Sequence, residues 1–182
     1  LWKEDTLKSV SLYNDWFLDF APVTYTKERK CAMEQVELAI SQTDNFHFTA
    51  THLKEHPEFI TILRMATTPP IARDRLIGFS GIKTSFIKNM EEGRLPQRMS
   101  DEEKENSLSR IAHVLNKLLD IELFPWIHKG NAPTAEELKI AECIVADRLC
   151  GTLSDPIIRN EQEKRQLKVI SDFLGSEGYT FV

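Results

Sequence analysis

Thr67–Gly81, TTPPIARDRLIGFSG, contains an eight-residue string that returns in altered form at Ile144–Gly151, IVADRLCG. Ile71, Asp74, Arg75, Leu76 and Gly78 match Ile144, Asp147, Arg148, Leu149 and Gly151, five identities in eight positions. Read as helix, the Ile, Asp, Arg and Gly of each copy stand at i, i+3, i+4 and i+7, on one face. Glycine inside a helix costs about 1 kcal/mol relative to alanine, so its use in both copies suggests a close approach there. The expectation is that two related helices pack together. Asp74 would pair with Arg148 and Asp147 with Arg75 across a pseudo-twofold contact, because a buried guanidinium requires an acid.

Toward the amino terminus, Asp5 or Thr6 caps a helix to Phe20 that turns Leu7, Val10, Phe17 and Phe20 inward, thickened by Trp16 and ended by Pro22. A second helix runs from Thr26 to Thr43, with Cys31 or Ala32, Val36, Ala39 and Ile40 at helical spacing. Thr51 starts a short turn of helix, and Pro57 opens another that carries Phe59, Ile60 and Leu63.

Toward the carboxyl terminus, Ile82–Met90 is a helix closed by Gly93, with Pro96 keeping the next link extended. Ser100-Asp-Glu-Glu103 is a capping box that launches Leu108, Ile111, Leu115, Leu118 and Leu119. Leu123-Phe-Pro-Trp126 forms an apolar elbow, and Thr134-Ala-Glu-Glu137 is a second capping box leading into the second copy of the repeat. Ser154-Asp155-Pro156 caps a last helix that Gly175 ends. Tyr179–Val182 alternates like the start of a strand, which hints that the polypeptide continues.

Seven glycines in 182 residues, with few alternating β-branched runs, leave no room for a sheet. The fold expected is all-α: an irregular array of about seven or eight helices, since the apolar stripes lack sustained heptads. A chain of this length suits a single helical domain, 1–182, which could be subdivided at 1–68 and 69–182. No apolar run approaches a membrane span, and the opening LWKED is unlike a signal peptide, so a cytoplasmic location is the default expectation. Cys31, Cys143 and Cys150 fall in no ligand spacing and read as reduced core thiols.

The net charge of −5 argues against a DNA coat but not against a local basic face. Residues 71–100 hold six bases, Arg73, Arg75, Lys83, Lys88, Arg94 and Arg98, against three acids, Asp74, Glu91 and Glu92. A run of this kind is ordinarily a solvated surface. Arg73 stands apart from the repeat, because its counterpart is Ala146. With Lys83, Lys88, Arg94 and Arg98 it is a candidate for tracking phosphates, and Arg159 is a weaker one.

Two strings imitate catalytic motifs. His52-Leu-Lys-Glu55-His56 matches the HxxEH of a zinc-peptidase class, but Pro57 pushes His56 out of the α region and off the face it must share with His52. Asp155-Pro156 with Gln162-Glu163-Lys164 imitates a magnesium nuclease, yet Asp155 and Lys164 lie about 13 Å apart along one helix. Asp155 reads more simply as an N-cap, and Glu161–Lys168 as a solvated face. There is no Gly-rich phosphate loop and no Cys/His metal cluster. Trp2, Trp16 and Trp126 read as core or elbow residues, while His113 and His128 carry no signal.

PPIARDRLIGFSG, the LPQRM link, LLDIELFPWI and above all IVADRLCGTLSDPIIRNEQEKRQL resemble the N-terminal part of XamI-type type II restriction endonucleases, as do SLYNDWFLDFAP and EGRLP. The resemblance covers most of the chain in the same order. It implies a bacterial enzyme that cuts both strands of a short DNA site with Mg²⁺, as a homodimer. Its catalytic E-x-K element would lie on a sheet further toward the carboxyl terminus, beyond Val182. No catalytic or metal residue is therefore expected here, and this region would position DNA, build the dimer, or both. The contrasting reading is a helical interaction or dimerisation domain without DNA contact, which the net charge favours; an HxxEH zinc peptidase stands third.

Overall fold

Eight α-helices form among residues 2–179, the part of the chain that the computed structural model describes. They are α1 (Trp2–Gln42), α2 (Ala50–Glu55), α3 (Ile60–Met65), α4 (Arg73–Ser80), α5 (Thr84–Glu91), α6 (Asp101–Leu118), α7 (Pro125–Lys129) and α8 (Ala135–Ser176), with one 3₁₀ turn, Pro57–Phe59, before α3. The described residues contain no strand, so the fold is all-α as its composition requires. No helix among them is long and apolar enough to cross a membrane. Two compact units result: Cys31–Leu149, and one that joins the stretch up to Lys30 with the stretch from Cys150 onward.

Within the first of these, α6 supplies the central apolar stripe. Its capping box closes as the sequence requires: Glu103 N–H donates to Ser100 Oγ at 3.2 Å, and Ser100 N–H donates to the Glu103 carboxylate at 3.0 Å. Leu108, Ile111, Ala112 and Leu115 are buried at i, i+3, i+4 and i+7, each large side chain contributing about 1.5–3 kcal/mol. Helices α2 and α4 pack against α6. The link out of α3 joins its far end: Thr68 N–H donates to Leu118 O at 2.9 Å and Asp120 N–H to Ala66 O at 3.1 Å, an isolated antiparallel bridge.

Three consecutive left-handed residues, Asp44, Asn45 and Phe46, reverse the chain after α1. Asp and Asn adopt that conformation readily; a phenylalanine does so only when its surroundings fix it. Phe46 is buried against Phe124 with ring centroids 4.6 Å apart, Trp126 meets Phe124 edge-on, and Trp126 Nε1 donates to Asn45 O at 2.9 Å. The elbow read at 123–126 therefore closes over the turn that ends α1.

The second capping box also forms, with Thr134 N–H donating to Glu137 at 2.7 Å at the start of α8. Pro22 does not end a helix, however, and Asp155 and Pro156 do not begin one. Both prolines lie inside long helices, α1 and α8. Each is exposed, so water can satisfy the carbonyl its missing N–H leaves free. Helix α8 likewise runs past Gly175 to Ser176, and of the expected strand only Tyr179 lies within the described residues, outside any strand.

Burial corrects further expectations. Ala32, Val36 and Ala39 are buried as the periodicity requires, but Cys31 and Cys143 are exposed and only Cys150 is a core thiol. Leu7, Val10 and Phe17 face outward and Trp2 is 90% exposed. Trp16 and Phe20 are half-buried and stacked on each other, with the Arg165 guanidinium 5.7 Å from the Trp16 ring centre.

The repeat diverges in three dimensions. Its first copy is helical only from Arg73, its second lies wholly inside α8, and α4 packs against α5 and α6. A Cβ added at Gly78 or Gly151 would meet nothing within 4 Å, so neither glycine marks a close approach. Gly78→Ala is accordingly expected to raise stability by about 0.5–1 kcal/mol in urea unfolding. Trp126→Phe, which strands Asn45 O, should lower it by about 1 kcal/mol.

The Glu103 and Glu137 carboxyls are held below the ordinary glutamate range, first by the backbone N–H groups of Ser100 and Thr134 and then by their hydroxyls. A depressed folded-state pKa stabilises above the unfolded value, and that contribution is lost as pH falls through the folded one. Glu103→Gln should therefore flatten the acid limb of a thermal-stability profile; an unchanged limb would show that the box carries no charge-linked stability.

Candidate functional site

The basic segment at 71–100 starts with a clamp. Arg64 Nη2 lies 2.9 Å from Glu91 Oε1, and Arg73 Nη2 lies 2.5 Å from Glu91 Oε2. One carboxylate on α5 thus holds guanidinia from α3 and α4, and Arg64 also donates to Ile71 O at 3.4 Å. Burial pushes the Arg64 guanidinium below its usual range. Arg73 moves upward, first because it hydrogen-bonds Glu91. The Arg73 charge that the repeat leaves unexplained is thereby accounted for: it shares an acid with a buried arginine.

The remaining candidates scatter. Lys83 is the exposed N-cap residue of α5, and its charge contributes to depressing Glu103. Lys88, in the last turn of α5, is exposed, as is Arg98 in the following link. Arg94 forms an exposed ion pair with Glu92. Arg159 belongs to the other unit, exposed on α8.

Neither expected cross pair of the repeat forms among the described residues. Arg148 takes Asp120 as its acid at 3.3 Å, and its Nη1 donates to Met65 O at 3.0 Å and Thr67 O at 3.4 Å. Asp74 and Arg75 are exposed on α4, and Asp147 is exposed on α8. Asp120 and Glu91, the acids that hold the half-buried arginines, sit outside the repeat. Only tertiary proximity reveals them.

The motif-like strings resolve into local structure. His52 Nδ1 accepts from Thr49 N–H at 3.2 Å, at the start of α2. His56 lies past its end, with φ −130° and ψ 71°, stacked on Phe59 at 4.7 Å and 3.4 Å from Glu58. The two rings share no metal face. Asp155, Glu163 and Lys164 all lie on α8, where Lys164 pairs with Glu161. No group of three or more His, Cys, Asp or Glu that could hold a metal occurs among the described residues.

With that geometry in hand, comparison with known proteins gives two findings. A profile of the family described as XamI restriction endonuclease matches residues 44–182. The chain is also similar to the type II restriction enzyme SalI of Streptomyces albus G, 44% identical over 180 residues, 98% of this chain and 57% of that protein. The chain thus spans somewhat more than half the length of the curated relative it matches. No solved structure matches.

Because the Glu91 side chain is only 13% exposed, Glu91→Gln leaves the Arg64 guanidinium without a counter-charge, Arg73 keeping Asp74, and should cost about 3 kcal/mol in urea unfolding. Arg94→Gln, at an exposed pair, should cost at most about 1 kcal/mol. Equal losses at the two sites would contradict a structural clamp at Glu91.

Proposed function

Because this chain belongs to the XamI restriction endonuclease family, we propose that it is the helical region of a type II enzyme that cleaves double-stranded DNA at a short specific site. These residues position the duplex, build a homodimer, or both. The observation that carries this reading is the 44% identity sustained over 180 residues. Lys88, Arg98 and Arg159 support it as exposed cations with no ion pair among the described residues, open to phosphate oxygens. Lys83 stands beside them; Arg73 and Arg94 reach DNA only by exchanging a carboxylate for a phosphate. On this reading the carboxylates that hold Mg²⁺ and cut the strand are not among the described residues, and no step of hydrolysis is assigned to them.

A second reading, dimerisation or partner docking without DNA contact, is favoured by a specific observation. The unit built from the ends of α1 and α8 exposes Trp2, Leu18, Val23, Leu167, Val169 and Phe173, each more than half accessible. The histidines of the HxxEH string, engaged apart from each other, give the zinc reading no support.

The test combines duplex binding across a salt series with a plasmid-nicking assay in Mg²⁺. Salt-sensitive binding without nicking is expected of the 182-residue chain. Nicking by this chain would overturn the absence of catalytic carboxylates. A concentration-dependent dimer that binds no DNA at any salt would establish the second reading.

A further inference from the structure

Two stretches of this acidic chain contain no acid at all. Arg75–Met90 holds Arg75, Lys83 and Lys88, and Asn106–Leu119 holds Arg110, His113 and Lys117, with no Asp or Glu in either. The fold packs them together, because they form most of α4, α5 and α6, and α4 lies directly on α6. Arg75 and Phe79 are one turn apart on α4, while Arg110, His113 and Lys117 stand at i, i+3 and i+7 on α6. All five are exposed, and Arg75, Arg110 and Lys117 form no ion pair among the described residues.

Between the two helices runs an open groove of about 280 Å³ lined by Phe79, Ser80, Ser109, Arg110, His113 and Val114. Its ionisable groups are Arg110 and His113, and none of the lining residues is acidic. The Arg110 guanidinium lies against the backbone of Gly81, which ends α4 at φ +63°, close enough that an added Cβ there would collide with it. Glycine is required for the turn, and its bare Cα also gives the guanidinium a surface to lie on. Phe79, 60% exposed, forms an apolar wall beside it.

A guanidinium without an ion pair next to an aromatic wall suits a strand of sugar-phosphate, whose charge meets Arg110 and whose deoxyribose meets Phe79. We propose that the α4–α6 groove, with Arg75, Phe79, Arg110, His113 and Lys117, is the principal surface on which this chain holds the backbone of duplex DNA. This rests on the reading of the chain as a DNA-positioning region. It moves the main contact from the clamp-bound Arg73 and the paired Arg94 to Arg75 and to three α6 residues, Arg110, His113 and Lys117, that lie outside the basic segment of the sequence.

The experiment measures anisotropy of a fluorescein-labelled duplex against the full chain from low to high salt. The variants are Arg75→Ala/Arg110→Ala/Lys117→Ala, the same three positions changed to Gln, Phe79→Ala, and Lys139→Ala as a control cation already engaged by Glu142. Each lost phosphate contact should flatten the dependence of log K on log salt by about 0.9, which is about tenfold in affinity near 0.1 M salt. The triple variants should therefore lose about three from the slope. Phe79→Ala should weaken binding with the slope unchanged, and Lys139→Ala should match the wild type.

The Gln variant keeps the apolar stems and guards against a folding defect, with circular dichroism melting curves compared for all. Wild-type binding that both triple variants retain with an unchanged slope overturns the groove and leaves the broader reading standing. No binding by the wild type at any salt overturns the DNA-positioning reading, and the groove with it.

Discussion

A single guanidinium joins three segments that are far apart in sequence. Arg148, on α8, donates to the carbonyls of Met65 and Thr67 and pairs with Asp120 just beyond α6. Those carbonyls belong to the end of α3 and the link after it, the same link whose backbone bridges Leu118–Asp120. Helix ends leave carbonyls without intrahelical donors, and burial makes that costly unless a donor arrives from elsewhere. Arg148 is that donor, and Asp120 compensates its charge. The crossing of these segments sets where α4 starts relative to α6, and so where the groove between them opens.

The capping boxes at Ser100 and Thr134, the stripe of α6 and the turn of helix after Pro57 were legible because each is local. Hydrogen bonds or side chains within a few residues decide them. Pro22 and Pro156 misled for the complementary reason. A proline inside a helix deletes one hydrogen bond and crowds the preceding turn, and on an exposed face water can replace that bond while the helix bends to relieve the crowding. Whether the face is exposed is a tertiary fact. The same gap affects the amino-terminal stripe, where apolar spacing marks a face but does not show what covers it.

The repeated DRLxG string illustrates how far similarity of sequence can outrun similarity of environment. Both copies place Arg and Gly one turn apart, yet Arg148 is half-buried on two carbonyls and an acid, while Arg75 stands in solvent on α4. The acids that matter, Glu91 and Asp120, lie in segments that no spacing rule connects to their arginines. Sequence identified residue types that need partners and could not supply the partners, because those come from contacts 27 and 28 positions away.

Net charge is a poor guide to what a surface binds, because it ignores which charges already compensate each other. In this chain Glu91 and Asp120 face inward onto arginines, and two of the four acids at the α6 start, Asp101 and Glu103, serve a local ion pair and a helix cap. Those acids count in the sum but contribute little field over the body of α6, where no acid stands in the sequence, or over α4, where Asp74 is the one acid. Screening over roughly a Debye length of 8–10 Å makes that separation meaningful, since charges on distant faces hardly feel each other at physiological salt. An acidic protein can on these terms carry a cationic ridge. The ridge is set by where the fold has no acid, not by where the sequence has the most bases.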